Sequence, residues 1–310
     1  MSYPWLKPVE AEFAERLESD RLPHALLLCG PRDTGKTDLA TDFVASLMCL
    51  ENRYPACGVC RSCQLLKGGA HPDRQIITYE ENPSTHELRK VLVVDQVRRL
   101  ISSLYLTNSV SRRKAALVYP AEAMNISTAN ALLKTLEEPP GEAVLILVSH
   151  DTARLPATIR SRCQKLQVRP PDFAVAGEWL CADSGCSEAE ADAALTAASG
   201  SPLKARRMLR DGSTDDYRLL IATLHDLRSG RVESGAAMAA LKDVDPDLLW
   251  SWLSLLSAAE VKRVITDPAA AKSVSLLQSN ADRNRKFLPT PVRKDFLLQD
   301  WLIQWSRLRA

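Results

Sequence analysis

Residues Gly30 to Thr37 read GPRDTGKT, which carries Gly, Gly-Lys and Thr at the fixed positions of the phosphate-cradling loop G-x-x-x-x-G-K-[ST]. Such a loop works only between a strand and a helix, because the backbone amides at the helix N-terminus are what face the phosphates. The flanks comply. HALLLCG (24–30) is a short apolar run, and KTDLATDFVASLMCL (36–50) repeats Leu39, Phe43, Leu47 and Leu50 at helical spacing. Gly30, Gly35, Lys36 and Thr37 are therefore candidate nucleotide-binding residues, with Lys36 supplying positive charge and Thr37 a hydroxyl for Mg2+.

The same strand-then-helix alternation continues. RQIITYE (74–80), KAALVYP (114–120) and AVLILVSH (143–150) read as strands, and 89–105 and 125–138 read as helices, the second stopped by Pro139 and Pro140. Alternation of this kind predicts an α/β P-loop domain with a doubly wound parallel sheet over 1–168. After Pro170-Pro171 the sequence turns Ala- and Leu-rich. Helices near 172–182, 187–198 and 202–211 predict a small helical lid domain over 169–211, and the turn-prone DGSTDD (211–216) leads into an all-helical C-terminal domain over 212–310. Within the last, Trp250, Trp252, Trp301 and Trp305 read as helix-packing core or as an oligomer interface.

Hydrolysis needs more than a phosphate cradle: a carboxylate at the tip of a later strand must help hold Mg2+ and order water. The strand that should carry it reads AALVYPAEAMN, and its tip is Tyr119-Pro120, neither of them acidic. Glu122, two residues further on, is either a substitute reached through an unusual loop or a solvated loop carboxylate.

CLENRYPACGVCRSC sets Cys49, Cys57, Cys60 and Cys63 close together, and four thiolates at this spacing close a tetrahedral structural zinc site over about 49–66. An iron-sulfur cluster takes the same ligands, but its trailing C-x3-C-P is missing. Metal binding here would fold an insertion rather than drive chemistry. Cys29, Cys163, Cys181 and Cys186 are isolated and read as small apolar residues or bystanders.

Forty basic against 38 acidic side chains leave a formal charge of +2, too balanced for the whole molecule to act as a polyanion-binding surface. The start MSYPWLKPVEAEF lacks a basic segment followed by an apolar core, and no run reaches the roughly 18 apolar residues of a bilayer span. The expected location is the cytoplasm. In TIRSRCQKL, Arg160 and Arg162 precede a short strand at the domain edge; each reads as a surface ion-pair former or as an arginine presented to a neighbouring subunit's ATP.

Together, the P-loop, the four-cysteine insertion, THELRKVLVVDQVRRL, NALLKTLEEPP (130–140) and RLPATIRSRC (154–163) resemble the bacterial clamp-loader ATPases of the AAA+ class over roughly residues 5–210. That family holds motor subunits, which hydrolyse ATP, and the delta-prime branch, which has lost much of the catalytic apparatus. Tyr119-Pro120 stands where motor subunits carry Asp-Glu, and Leu203 of GSPL stands where they carry a nucleotide-sensing arginine. Both departures favour the delta-prime branch. The resemblance implies zinc on the four cysteines and Arg162 as an arginine finger acting in trans. It implies motor subunits (gamma/tau) and a clamp-opening delta subunit as partners, with the sliding clamp and primer-template DNA reached through the complex, and no membrane. It leaves open whether the intact P-loop binds ATP or ADP with Mg2+ without hydrolysing it or is retained for packing. An active motor ATPase using Glu122 or a distant carboxylate, and a zinc-containing nucleic-acid-binding regulator, are the rival readings; near-neutral charge and few clustered basic residues beyond Arg112-Arg113-Lys114 argue against the second.

Overall fold

In a computed structural model of the chain, which describes residues 3–82, 85–288 and 290–308, the molecule divides into two units: Met1–Trp179 with Ser201–Leu203, and Leu180–Gly200 with Lys204–Ala310.

The first unit is built on five parallel strands: β1 (Ala25–Cys29), β2 (Arg74–Ile77), β3 (Ala115–Val118), β4 (Val144–Ser149) and β5 (Gln164–Gln167). Their order is β2-β3-β4-β1-β5, so β1 lies between β4 and β5, with Leu27 opposite Leu147 on one side and Lys165 on the other. Every residue of β1, β3 and β4 is buried, as a sheet covered on both faces requires. Alternate residues feed two cores. Leu26, Leu28, Leu117, Ile146 and Val148 meet α1 (Lys7–Glu18) and α2 (Lys36–Met48) through Phe13, Leu17, Leu39 and Phe43. Ala25, Leu27, Val118, Leu145 and Leu147 meet α4 (Val94–Leu104) and α5 (Ile126–Glu137) through Leu100, Leu104, Leu132 and Leu136. Between α2 and β2 in sequence lies the short α3 (Arg61–Lys67). This is the doubly wound sheet that the alternating pattern predicts.

Three boundaries differ from the sequence reading; in the turn-prone DGSTDD (211–216) only Gly212 lies outside helix, since one helix ends at Asp211 and the next begins at Ser213. The helix after the P-loop stops at Met48, so Leu50 lies beyond it and is exposed. The segment read as helix from 89 begins only at Val94, because Leu88 bridges to Glu81 and Leu92 bridges to Met124, an extended path that a helix would deny.

After α6 (Ala157–Arg160) and β5 the chain is helical: α7 (Phe173–Ser184), α8 (Glu188–Ala197), α9 (Pro202–Asp211), α10 (Ser213–Arg228), α11 (Ser234–Ala240), α12 (Pro246–Arg263), α13 (Pro268–Phe287) and α14 (Lys294–Ser306). Local chemistry sets several starts. Ser187 and Glu190 form a capping box on α8, while the Asp245 and Asp267 carboxylates cap α12 and α13, each followed by proline at a first-turn position. In the second unit Trp250, Trp252, Trp301 and Trp305 are all buried. The indole N–H of Trp252 donates to Ala197 O at 2.9 Å and that of Trp301 to Leu277 O at 3.0 Å, which gives two of these core rings a partner for their polar atom. They are packing residues of this unit. Among the described residues no helix is long and apolar enough to cross a membrane.

Candidate functional site

The P-loop leaves the carboxyl end of β1, a place where strand order reverses and ligands of open α/β sheets bind. Two glycines are required by its path. A Cβ on Gly30 would collide with the carbonyl of Val168, and Gly35 has φ +83° with the Tyr3 ring lying where its Cβ would stand. Lys36 opens α2 and is only 2% exposed. Its ammonium donates to the carbonyl of Pro31 and lies 3.4 Å from Thr34 Oγ1, so the lysine is folded back into its own loop. Burial, opposed by the charges of Glu122 and Asp33, lowers its pKa to about 8.

The chain itself braces this loop from outside. The Trp5 indole N–H donates to Thr34 O at 2.9 Å, the Leu203 amide to Asp33 O at 3.1 Å, and the Tyr3 hydroxyl to Asp38 Oδ2 at 2.8 Å. Tyr3 stacks on Trp5, ring centroids 5.4 Å apart, and Trp179 meets both edge-on. Sequence reasoning missed this aromatic cluster; the only signal was a Tyr and a Trp two residues apart at the N-terminus. Leu203 joins the apolar core there.

Glu122 corrects the reading as a solvated loop carboxylate. Its side chain is 3% exposed, and the short turn after β3 turns it inward, where both carboxylate oxygens accept from the His150 amide at 3.2 Å. Arg32 Nη2, in the P-loop, stands 4.0 Å away. His150 Nδ1 is buried without a hydrogen-bond partner, and burial together with the Lys36 charge lowers the His150 pKa. Lys36, Arg32, Glu122 and His150 thus form one electrostatic neighbourhood, whereas Tyr119 and Pro120 bring no carboxylate to it.

Arg162 lies elsewhere on the first unit, between α6 and the edge strand β5. Its side chain is 33% exposed, and Nε donates to Glu137 Oε1 at 2.6 Å while Nη2 reaches the same oxygen. Nη1 donates to Thr158 O at 3.0 Å. Arg160 differs: its Nε is buried without an acceptor. Within this chain Arg162 is thus the ion-pair former that a lone surface arginine suggests, and its partner belongs to the NALLKTLEEPP stretch.

The four cysteines come together as their spacing predicts. The sulfurs of Cys49, Cys57, Cys60 and Cys63 all lie within 4.8 Å of one another, close to the roughly 3.8 Å edge of a tetrahedron of thiolates about 2.3 Å from zinc. Amides already point at sulfur: Cys57 N to Cys49 Sγ and Cys60 N to Cys57 Sγ, both 3.4 Å. The donor set fits a structural metal ion. Behind it, the Ser62 hydroxyl donates to Met48 O at 2.6 Å and meets His71 Nε2 at 2.9 Å, while His71 Nδ1 accepts from the Asp73 amide, which ties the cluster to the end of α2 and the start of β2. Cys29 and Cys163 are buried apart from it, and Cys181 and Cys186 are half-buried.

The basic triplet is engaged internally. Arg113 pairs with Asp20 and with Glu142 at 3.4 Å, Lys114 donates to Ser103 O, and only Arg112 stays exposed, 3.7 Å from Glu142.

Comparison with known proteins agrees with this geometry. The family described as DNA polymerase III, delta subunit, matches residues 6–172, more than half of the chain. DNA polymerase III subunit delta' of Pseudomonas aeruginosa is 33% identical over 97% of this chain and 89% of its own length. The Escherichia coli subunit of the same name is 32% identical over 84% of this chain and 76% of its own. DNA polymerase III subunit tau/gamma of Haemophilus influenzae, 32% identical, aligns with only 51% of this chain and 22% of itself.

Proposed function

Because this chain belongs to the DNA polymerase III delta-prime family, we propose that it is a non-motor subunit of the clamp loader, lending Arg162 to a neighbouring motor subunit during ATP-dependent loading of the sliding clamp onto primed DNA. The observation that carries the proposal is a pair of opposites: the chain's own P-loop has no carboxylate at the tip of β3, while Arg162 stands intact at the edge of the sheet.

The chemistry divides accordingly. A guanidinium that enters a neighbour's site stabilises the charge spread over a transferring phosphoryl group, and an exposed pair with Glu137 is weak enough, about 0.2–1 kcal/mol, to be given up for a triphosphate. Gly30, Gly35, Lys36 and Thr37 form a holding site at most: ATP or ADP with Mg2+ that enters it is kept and not cleaved, since no group at Tyr119-Pro120 can help hold the metal or orient water. Zinc on Cys49, Cys57, Cys60 and Cys63 fixes the insertion between α2 and β2. The partners in this reading are the gamma/tau motor subunits and the delta subunit, with clamp and primer-template DNA met through the assembly in the cytoplasm. The division into residues 1–168, 169–211 and 212–310 is part of the same proposal, the last forming the collar.

The test is turnover by the purified chain alone, with and without primed DNA. The proposal expects no Mg2+-dependent ATP hydrolysis above background; steady hydrolysis that vanishes in Glu122→Gln would establish a motor ATPase instead. The engagement of Arg113 and Lys114 within the fold weighs against the nucleic-acid-binding regulator, whose mark would be tight, steeply salt-dependent DNA binding by the isolated chain.

A further inference from the structure

Glu122 has no role in the reading above, yet the fold buries it beside a phosphate-binding loop. A carboxylate 3% exposed must be compensated, and its partners here are the His150 amide, at 3.2 Å from each oxygen, and Arg32 of the P-loop at 4.0 Å. Lys36 is buried as well, and Glu122 is foremost among the groups that keep it charged. The positive charge of the loop is therefore already balanced from inside the protein. We propose that Glu122 is a built-in counter-anion that competes with nucleotide phosphates for the P-loop and thereby sets how tightly this subunit holds ADP or ATP.

The inference rests on the reading of Gly30–Thr37 as a non-hydrolysing loop. It differs from a metal-holding role for the same side chain in sign. A carboxylate that ligates Mg2+ strengthens binding of the Mg2+-nucleotide, whereas one that neutralises Lys36 and Arg32 repels the phosphates whether or not Mg2+ is present. The loop backbone is also held by groups other than Glu122, the Trp5 indole at Thr34 O and the Leu203 amide at Asp33 O.

Isothermal titration of the full-length chain with ADP and with inorganic pyrophosphate, at pH 7 in EDTA and again in Mg2+, tests the proposal. Glu122→Gln keeps an acceptor for the His150 amide and loses only the charge, and it is expected to bind both probes at least about tenfold more tightly than wild type in both buffers. Glu122→Asp, which withdraws the carboxylate by one methylene, is expected to gain in the same direction by less, and it carries the test if the Gln variant does not fold. Equal or weaker binding by Glu122→Gln, a gain confined to one buffer, or no measurable binding by either protein overturns the counter-anion role. None of these results bears on Arg162 or on turnover, so the proposal can fail while the non-motor reading stands.

Discussion

Lys36→Met should make the nucleotide-free protein more stable at neutral pH. The lysine is buried, and the pKa that burial brings down to about 8 lies well below the 10.5 of a free lysine. A shift of that size corresponds to about 3 kcal/mol of penalty for keeping the ammonium in the folded protein, at roughly 1.4 kcal/mol per unit. Methionine fills similar space without the charge, but it also loses the bonds from the lysine nitrogen to Pro31 O and Thr34 Oγ1, so a net gain of about 2 kcal/mol is expected at pH 7. Between about pH 8 and 10.5 the unfolded chain retains a proton that the folded chain has released, and wild-type stability rises with pH through this window. The advantage of Lys36→Met is thus full below pH 8 and shrinks by about 2 kcal/mol by pH 10. Urea unfolding at pH 7 and pH 10, followed by pulsed thiol labelling of the buried Cys29 in β1, reads the stability of the first unit. A variant no more stable than wild type at pH 7, or an advantage that does not change with pH, would refute the claim that this lysine is held against its own solvation.

Two further outcomes follow from other buried groups. The Asp73 carboxylate accepts from the amides of Ser109, Val110 and Ser111 at 2.8–2.9 Å and from the Ser111 hydroxyl at 3.0 Å; burial would raise its pKa, but these donors lower it. Asp73→Ala should therefore lose about 3 kcal/mol in urea at pH 7, and this contribution, present above the ordinary carboxylate pKa, should fade as pH falls through the depressed one; a loss under about 1 kcal/mol contradicts it. The purified protein should carry one zinc per chain by elemental analysis, and Cys63→Ser or chelation should remove it and lower Tm by on the order of 5 °C; full stability without metal contradicts the structural role.

The parts legible in the sequence were those fixed by local pattern. A strand, a glycine-rich loop and an amphipathic helix in immediate succession define one geometry, and short cysteine spacings confine four sulfurs whatever the rest of the chain does. Ala- and Leu-rich sequence likewise marked α7, α8 and α9, whereas α10 to α14 were legible only as an all-helical stretch without individual bounds. The features that stayed hidden are set by contacts distant in sequence. Glu122 is buried because the turn after β3 lies against the amide of His150, 28 residues on, and nothing in AALVYPAEAMN distinguishes that from a solvated turn. Tyr3 and Trp5 meet Trp179, which comes from the far end of the first unit's sequence. Arg162 was visible as a motif residue, whereas its partner Glu137 was not, since the pairing depends on how α5 and α6 pack. The late start of α4 was missed because VLVV carries apolar periodicity that suits a bridge to Met124 as well as a helix.

The central claim is that this subunit acts on ATP held by a neighbour. It is tested most directly by the DNA-stimulated ATPase of a clamp loader reconstituted with Arg162→Ala in place of the wild-type chain, assembly being checked by gel filtration. The complex should form normally, and the one ATP site that Arg162 serves should slow by on the order of a hundredfold, lowering total turnover by that site's share. Unchanged ATPase in an intact complex would contradict the account.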